Sequence, residues 1–327
     1  MLRILHDTKF DFIRWWRTAA GLTIAFIVIG LGSLAIKGGF DYSVEFTGGT
    51  LMQLHFTAAP EQGKIRSVLD AGGIRDAEIQ TFGSPSDFTV RARSDSTSAG
   101  ADSASRKIEA ILVTSFGRDA FKVVRTEAVG SKVGSELARG AIIAILVSFF
   151  VTLVYLAIRF DWRFGVAATM ATMHDILTTV AFMKIMHLEV SLTVIAALLT
   201  VIGYSLNDTI IIFDRVRENL RKNRREPLYN TLNRSVNETL PRSVLTHATA
   251  LAATLALLFF AGEVIRPFAW VMAFGIVTGT FSSVYVASPI LLWIETKYPR
   301  ENTAKSAKSA KSAKSAKSAK SVRAETA

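Results

Sequence analysis

The chain contains no cysteine, which removes disulfides, thiolate catalysis and every cysteine-ligated metal centre. It contains no GxxxxGK[ST] loop, so ATP is not an energy source held on this chain. Acidic residues are in the minority, 27 against 38 Lys and Arg. That excess does not point to nucleic acid. Six Lys and Arg323, against the single acid Glu325, lie in the last 24 residues, so over half of the net charge of +11 belongs to one tail. Without the tail the chain is only modestly basic.

What the chain has instead is apolar length. Half of the 327 residues are hydrophobic, and the mean hydropathy is +0.33. The apolar residues fall in blocks of roughly 20, the length that crosses a bilayer as a helix. The sequence therefore predicts an α-helical integral membrane protein with six spans, at about 19–37, 138–158, 164–186, 190–213, 243–261 and 267–294. The last is long for a perpendicular helix, so it is expected to tilt or to lie partly in the interface. The first has basic flanks but an apolar core too long for a cleaved signal peptide, and is read as a span. The division is a cytoplasmic N-terminus (1–18), span 1 (19–37), an outside domain (38–134), a five-span bundle (135–295) and a basic tail (296–327).

Lys and Arg in the short loops set the orientation. They cluster at Arg3, Lys9, Arg14 and Arg17, at 159–163, and from Arg215 to Arg225. The loops 187–189 and 262–266 hold one Arg between them. Both termini are thus expected in the cytoplasm and residues 38–134 outside. In that outside region, strand signals at 51–56, 77–82, 87–92 and 119–126 alternate with helix signals at 60–71 and 103–116. The order β-α-β-β-α-β predicts a small α+β domain of ferredoxin-like type. It carries no metal-spaced cluster and no nucleophile with a nearby base, so it reads as a binding or moving module. No cofactor, metal or bond-breaking activity is expected anywhere. In the tail, 304–321 is the triplet AKS repeated six times, read as disordered and held near an anionic membrane surface.

The residues that could carry chemistry lie inside the spans. In "GYSLNDTIIIFDR" (203–215), Asn207 and Asp208 interrupt an apolar run. Asp208 lies about 9 Å inside the end marked by Asp214, at about 1.5 Å per residue. A charge at that depth costs several kcal/mol unless it is paired or solvated, and such residues often serve ion pathways. Thr200, Tyr204 and Asp208 share one helical stripe. Arg242 opens the fifth span at similar depth and is the expected charge partner, with Thr246 and Thr249 on its face and His247 adjacent. His174 and Asp175 lie near the midplane of the third span, and Lys184, near its outer end, is placed to snorkel. A carboxylate balanced between desolvation and a cation can take a proton on one side and release it on the other. The competing reading is a static ion pair or polar helix glue. Gly275 and Gly279 form a small-xxx-small packing element.

Several longer stretches resemble the SecF family, the smaller subunits of the SecD–SecF protein-export complex. They are "VIAALLTVIGYSLNDTIIIFDRVREN" (194–219), "LNRSVNETLPRSVLT" (232–246) and "FAGEVIRPFAWVMAFGIVTGTFSSVYVASP" (260–289). "VGSKVGSEL" (129–137), "MHDI" (173–176) and "VEFTGGT" (44–50) add to the likeness, which covers about 10–295. The resemblance implies half of a twelve-span transporter of the resistance-nodulation-division type, in a bacterial inner membrane. SecD would supply the other half, the SecYEG channel and a translocating preprotein would be partners, and the proton gradient would drive export. It implies that Asp208 and Arg242 match the family's intramembrane pair; on the reading of the residues themselves, Asn207, Tyr204 and Thr246 are predicted to tune that site, and His174 and Asp175 are further candidates for the proton pathway. The outside motif is Glu45, Phe46, Thr47, Gly48 and Gly49, with Glu45 where the family usually has Asp. The alternatives are a proton-independent structural subunit, or half of a small-molecule proton antiporter.

Overall fold

The computed structural model describes residues 8–75, 77–82, 84–92, 98–223, 225–262 and 264–299. The AKS-repeat tail lies outside the described residues, as do Arg3, Arg224 and residues 93–97. Among the described residues, six helical segments are long and apolar enough to cross a membrane. The first, α1 (Trp16–Lys37), is entered through a short turn at Ile13–Trp15. The short helix α2 (Val44–Thr47) then leads into the outside domain: β1 (Gly49–Phe56), α3 (Gln62–Ala71), β2 (Glu78–Phe82), β3 (Ser84–Ala92), α4 (Ser98–Phe116) and β4 (Phe121–Val129). The chain returns through α5 (Ser131–Arg159), α6 (Trp162–Ile185), α7 (Leu192–Lys222), α8 (Leu228–Phe260), α9 (Arg266–Ser282) and α10 (Ser288–Lys297).

The outside domain follows the expected element order. Its four strands form an antiparallel sheet in the order β2-β3-β1-β4. Alternate strand residues point to one side, where Met52, Leu54, Phe56, Ile79, Phe88 and Val90 meet Ile65 and Leu69 of α3 and Ile108 and Leu112 of α4. Helix α4 begins five residues before the expected 103.

The helices outrun their apolar blocks. α5 starts at Ser131 rather than 138, α7 runs on to Lys222, and α8 starts at Leu228 rather than 243. These added turns carry charges, and pairs such as Arg215–Glu218 and Lys222–Glu218 at helical spacing support them. Inside α8, Pro241 has no N–H to give the carbonyl of Asn237. The last span is interrupted by a π-helical turn at Ser283–Ala287, just before Pro289, so it is two helices joined by a wide turn.

α6, α7 and α9 form the buried centre of the bundle, around Ala167, Ala168, Ala171, Val201, Phe213, Val271 and Ile276. α1 and α5 expose large apolar residues such as Ile29, Leu146, Phe150 and Val151, as lipid-facing helices do. Lys184 does not snorkel. It is buried and donates to the carbonyls of Gly38 and Gly39, completing the C-terminal end of α1.

Candidate functional site

Asp208 sits in the middle of α7, 3% exposed. One carboxylate oxygen accepts a hydrogen bond from the Ser243 hydroxyl on α8 at 2.5 Å. The other oxygen has no hydrogen-bond partner among the described residues. The carbonyl of the same Ser243 lies 2.5 Å from Nδ1 of buried His247. A carbonyl only accepts, so Nδ1 carries the proton and, in the neutral ring, Nε2 is left as the acceptor. That Nε2 is also buried without a partner. The site thus holds a half-satisfied carboxylate and a half-satisfied imidazole joined through one serine.

Tyr204 completes this side. Its hydroxyl donates to the main-chain carbonyl of Thr246 at 3.1 Å, and its ring packs edge-on against His247 at 5.3 Å. The contact holds α7 and α8 together one turn from Asp208.

The expected Asp208–Arg242 pair does not form within this chain. Successive residues on a helix are rotated by about 100°, so turning Ser243 toward Asp208 swings Arg242 outward. Arg242 is exposed and has no ion pair among the described residues. Thr246 and Thr249 are exposed beside it, and Asn207, Gly203 and Thr200 form the matching exposed stripe on α7. A polar face therefore opens outward from two apolar spans.

Asp175 on α6 is 1% exposed and saturated. His174 Nδ1 lies 3.0 Å from one oxygen, and the other accepts hydroxyl protons from Ser205 on α7 and Ser282 on α9, the latter at 2.7 Å. Gly275 and Gly279 make the approach of α9 possible. A Cβ at Gly275 would run into the Val201 side chain, and one at Gly279 would stand 2.9 Å from Ser205 Cβ. Sequence reasoning missed Ser205, Ser243 and Ser282, because a serine in an apolar helix gives no signal until its partner is known.

The outside motif lies far from both carboxylates. Gly48 and Gly49 adopt φ of 72° and 126°, the left-handed side that favours glycine, and a Cβ at Gly48 would meet Ser131 Cα at 2.7 Å. Glu45 accepts a hydrogen bond from the main-chain N–H of Leu192, the first residue of α7, at 2.7 Å.

At the opposite end, the segment before α1 is clasped to α8. Phe10 N–H donates to Asn237 Oδ1 at 2.9 Å, and Asn237 Nδ2 donates back to the Phe10 carbonyl at 2.8 Å. Asn233 takes the N–H of Ile13, and Tyr229 and Asn233 both donate to Asp11. The Tyr229 hydroxyl, above all, holds the Asp11 carboxyl below the usual carboxylate range.

Comparison with known proteins places this arrangement. The family described as protein export membrane protein SecD/SecF, C-terminal, matches residues 108–297. The chain is 62% identical over 309 residues to protein translocase subunit SecF of Gemmatimonas aurantiaca, covering 93% of this chain and 92% of that one. It is 40% identical over 293 residues to the Vibrio alginolyticus protein of the same description, covering 89% and 92%. Among solved structures it is similar to SecDF, a translocon-associated membrane protein, from Thermus thermophilus, at 36% identity and a TM-score of 0.78. A SecDF structure in a super-membrane-facing form matches with a TM-score of 0.66. The chain covers 40% and 41% of those two solved chains, while they cover 90% and 92% of it.

Proposed function

This chain belongs to the SecF family of protein translocase subunits, and from that premise we propose that it is the SecF-type half of a proton-driven export motor, with Asp208 as its proton carrier. The carrying observation is the pairing of a buried, half-satisfied carboxylate with an outward polar face. A polar face in an apolar span is costly against lipid and inexpensive against protein or water. We read it as the surface that a SecD-type partner covers, since the chain spans about two fifths of the solved SecDF chains. Arg242 faces that partner. In this reading its counter-ion comes from the second chain, and Asp208 is left free to gain and lose a proton.

The chemistry is charge movement with no covalent step. Protonation neutralises Asp208 and weakens its hold on Ser243, which changes how α7 and α8 pack. A potential of 100 mV supplies about 2.3 kcal/mol per charge moved across the membrane, enough to bias a helix rearrangement. The protein is placed in a bacterial inner membrane, both termini in the cytoplasm and the α+β domain in the periplasm. The basic residues Arg14, Arg159, Arg163 and Arg217 gather at the bundle end opposite that domain, which supports the orientation. SecYEG and the translocating preprotein are the proposed partners on this pathway.

Asp208→Asn tests the reading. Preprotein export into inverted membrane vesicles is measured with and without a proton gradient, with both subunits quantified by blotting. Normal assembly with loss of the gradient-dependent component is the expected result. Unchanged stimulation would make Asp208 structural and favour the scaffold alternative.

A further inference from the structure

The proton site and the outside domain are joined at one compact place, and it lies at the N-terminus of α7. That helix carries Asp208 16 residues from its first residue, Leu192, about 24 Å along the axis. The first turn of any helix has N–H groups with no helical acceptor. At an exposed helix end water serves them. Here Ser191 takes Val194, and Leu192 donates at 2.7 Å to the carboxylate of Glu45, 147 residues away in sequence. The charge also complements the positive end of the helix dipole.

Further contacts fix the same place. The main chain pairs from Ser43 N–H to the Val190 carbonyl at 3.0 Å, and from Val190 N–H to the Asp41 carbonyl at 2.7 Å. Arg91, on β3, makes an ion pair with Glu189 at 2.7 Å and donates to the Tyr42 carbonyl at 3.2 Å. There is little slack beyond it. Glu45 stands four residues before β1, one of the two central strands of the sheet. A single residue, Gly130, separates β4 from α5. α2 is pressed against the start of α5, where a Cβ on Gly134 would lie 3.0 Å from the Phe46 carbonyl.

We propose that Glu45 is a positioning residue for the proton-driven step: its carboxylate makes the 41–45/189–192 junction a rigid joint that carries displacement of α7 into the outside domain. The proposal rests on the proton-carrier reading of Asp208. A rigid joint predicts that fastening the junction harder preserves coupling, whereas a hinge that must open predicts that fastening stops it.

The absence of cysteine makes this testable. Tyr42 and Val190 face each other in an isolated parallel bridge. Neighbouring strands lie about 4.8 Å apart, within the Cα range a disulfide spans. Gradient-dependent export is measured in vesicles holding the chain and its SecD-type partner, oxidised and reduced. Glu45→Ala is expected to lower the gradient-dependent component severalfold and to leave gradient-independent export and subunit levels unchanged. Tyr42→Cys with Val190→Cys, oxidised, is expected to keep full stimulation. Combined with Glu45→Ala, the cross-link is expected to restore the stimulation, and reductant to remove it again. A merely stabilising role for Glu45 would lower subunit levels and gradient-independent export together with the gradient-dependent component, so rescue confined to the latter marks the joint. If Glu45→Ala fails to accumulate, Glu45→Met, which keeps the length but offers no oxygen to the Leu192 N–H, carries the comparison in the same cysteine pair. Full stimulation in the glutamate variant, or a cross-link that blocks stimulation, overturns the joint. Loss of stimulation in Asp208→Asn, run alongside, separates failure of this inference from failure of the proton reading.

Discussion

Two carboxylates lie buried on neighbouring helices, and their surroundings differ sharply. Asp175 holds three side chains from α6, α7 and α9, and both its oxygens are engaged. Asp208 holds one serine, keeps one oxygen free, and stands next to a polar face that opens outward. Depth alone would rank them together. What separates them is satisfaction: a saturated carboxylate acts as a bolt among helices, and a half-satisfied one retains capacity for a proton or a partner.

The largest expected effect lies on the bolt. Asp175→Ala takes from the Ser205 hydroxyl and His174 their acceptor in a closed interior, leaves Ser282 only the Gly279 carbonyl, and should cost about 3–5 kcal/mol, the scale of breaking a buried polar network. Thermal unfolding in detergent and the amount of protein in the membrane both report it. If Asp175→Ala is as stable as the parent, the contrast between the two sites fails. Next comes Gly279→Val, which drives a side chain into Ser205 and should cost about 1–3 kcal/mol by overpacking the α7–α9 contact. Asp208→Asn keeps the size and the hydrogen bond from Ser243, so its stability should stay within about 1 kcal/mol of the parent while its gradient-dependent function is lost. A destabilisation equal to that of Asp175→Ala would make Asp208 a second bolt.

The smallest effect lies in the outside domain. Ser84, and after it His55, hold the Asp87 carboxyl below its ordinary value. A lowered carboxylate pKa gives stability that is present above the unfolded-state value and is lost as pH falls through the folded-state value. Asp87→Asn should therefore leave neutral stability nearly unchanged and flatten the loss on acidification below about pH 4, seen in an acid titration followed by circular dichroism.

The six spans were legible because lipid demands uninterrupted apolar length, and the outside domain because its strand and helix signals alternate between clear breaks. Helix ends were not legible: hydropathy registers the lipid-buried part of α7 and α8 and is blind to the charged turns beyond Phe213 and before Ser243. Asp208 stood out as an acid inside an apolar run. Its partner did not, because counting residues around α8 shows which of them share a face and not what that face meets, and the neighbour Ser243 took the position expected of Arg242. The contact between Glu45 and Leu192 spans 147 residues and leaves no local trace in the chain.

Pro241 and Asn237 have one more effect on α8. The proline leaves the Asn237 main-chain carbonyl without the N–H of the next turn, and the Asn237 side chain is separately bonded in both directions to the main chain of Phe10. The lower part of α8 is therefore moored to the threshold of the first span, and the upper part, which carries Ser243 and His247, begins just past a missing rung. The bundle thus has a fixed heel at the end opposite the α+β domain, held by the contacts of Phe10, Asp11 and Ile13 with α8, against which the upper part of that helix is set.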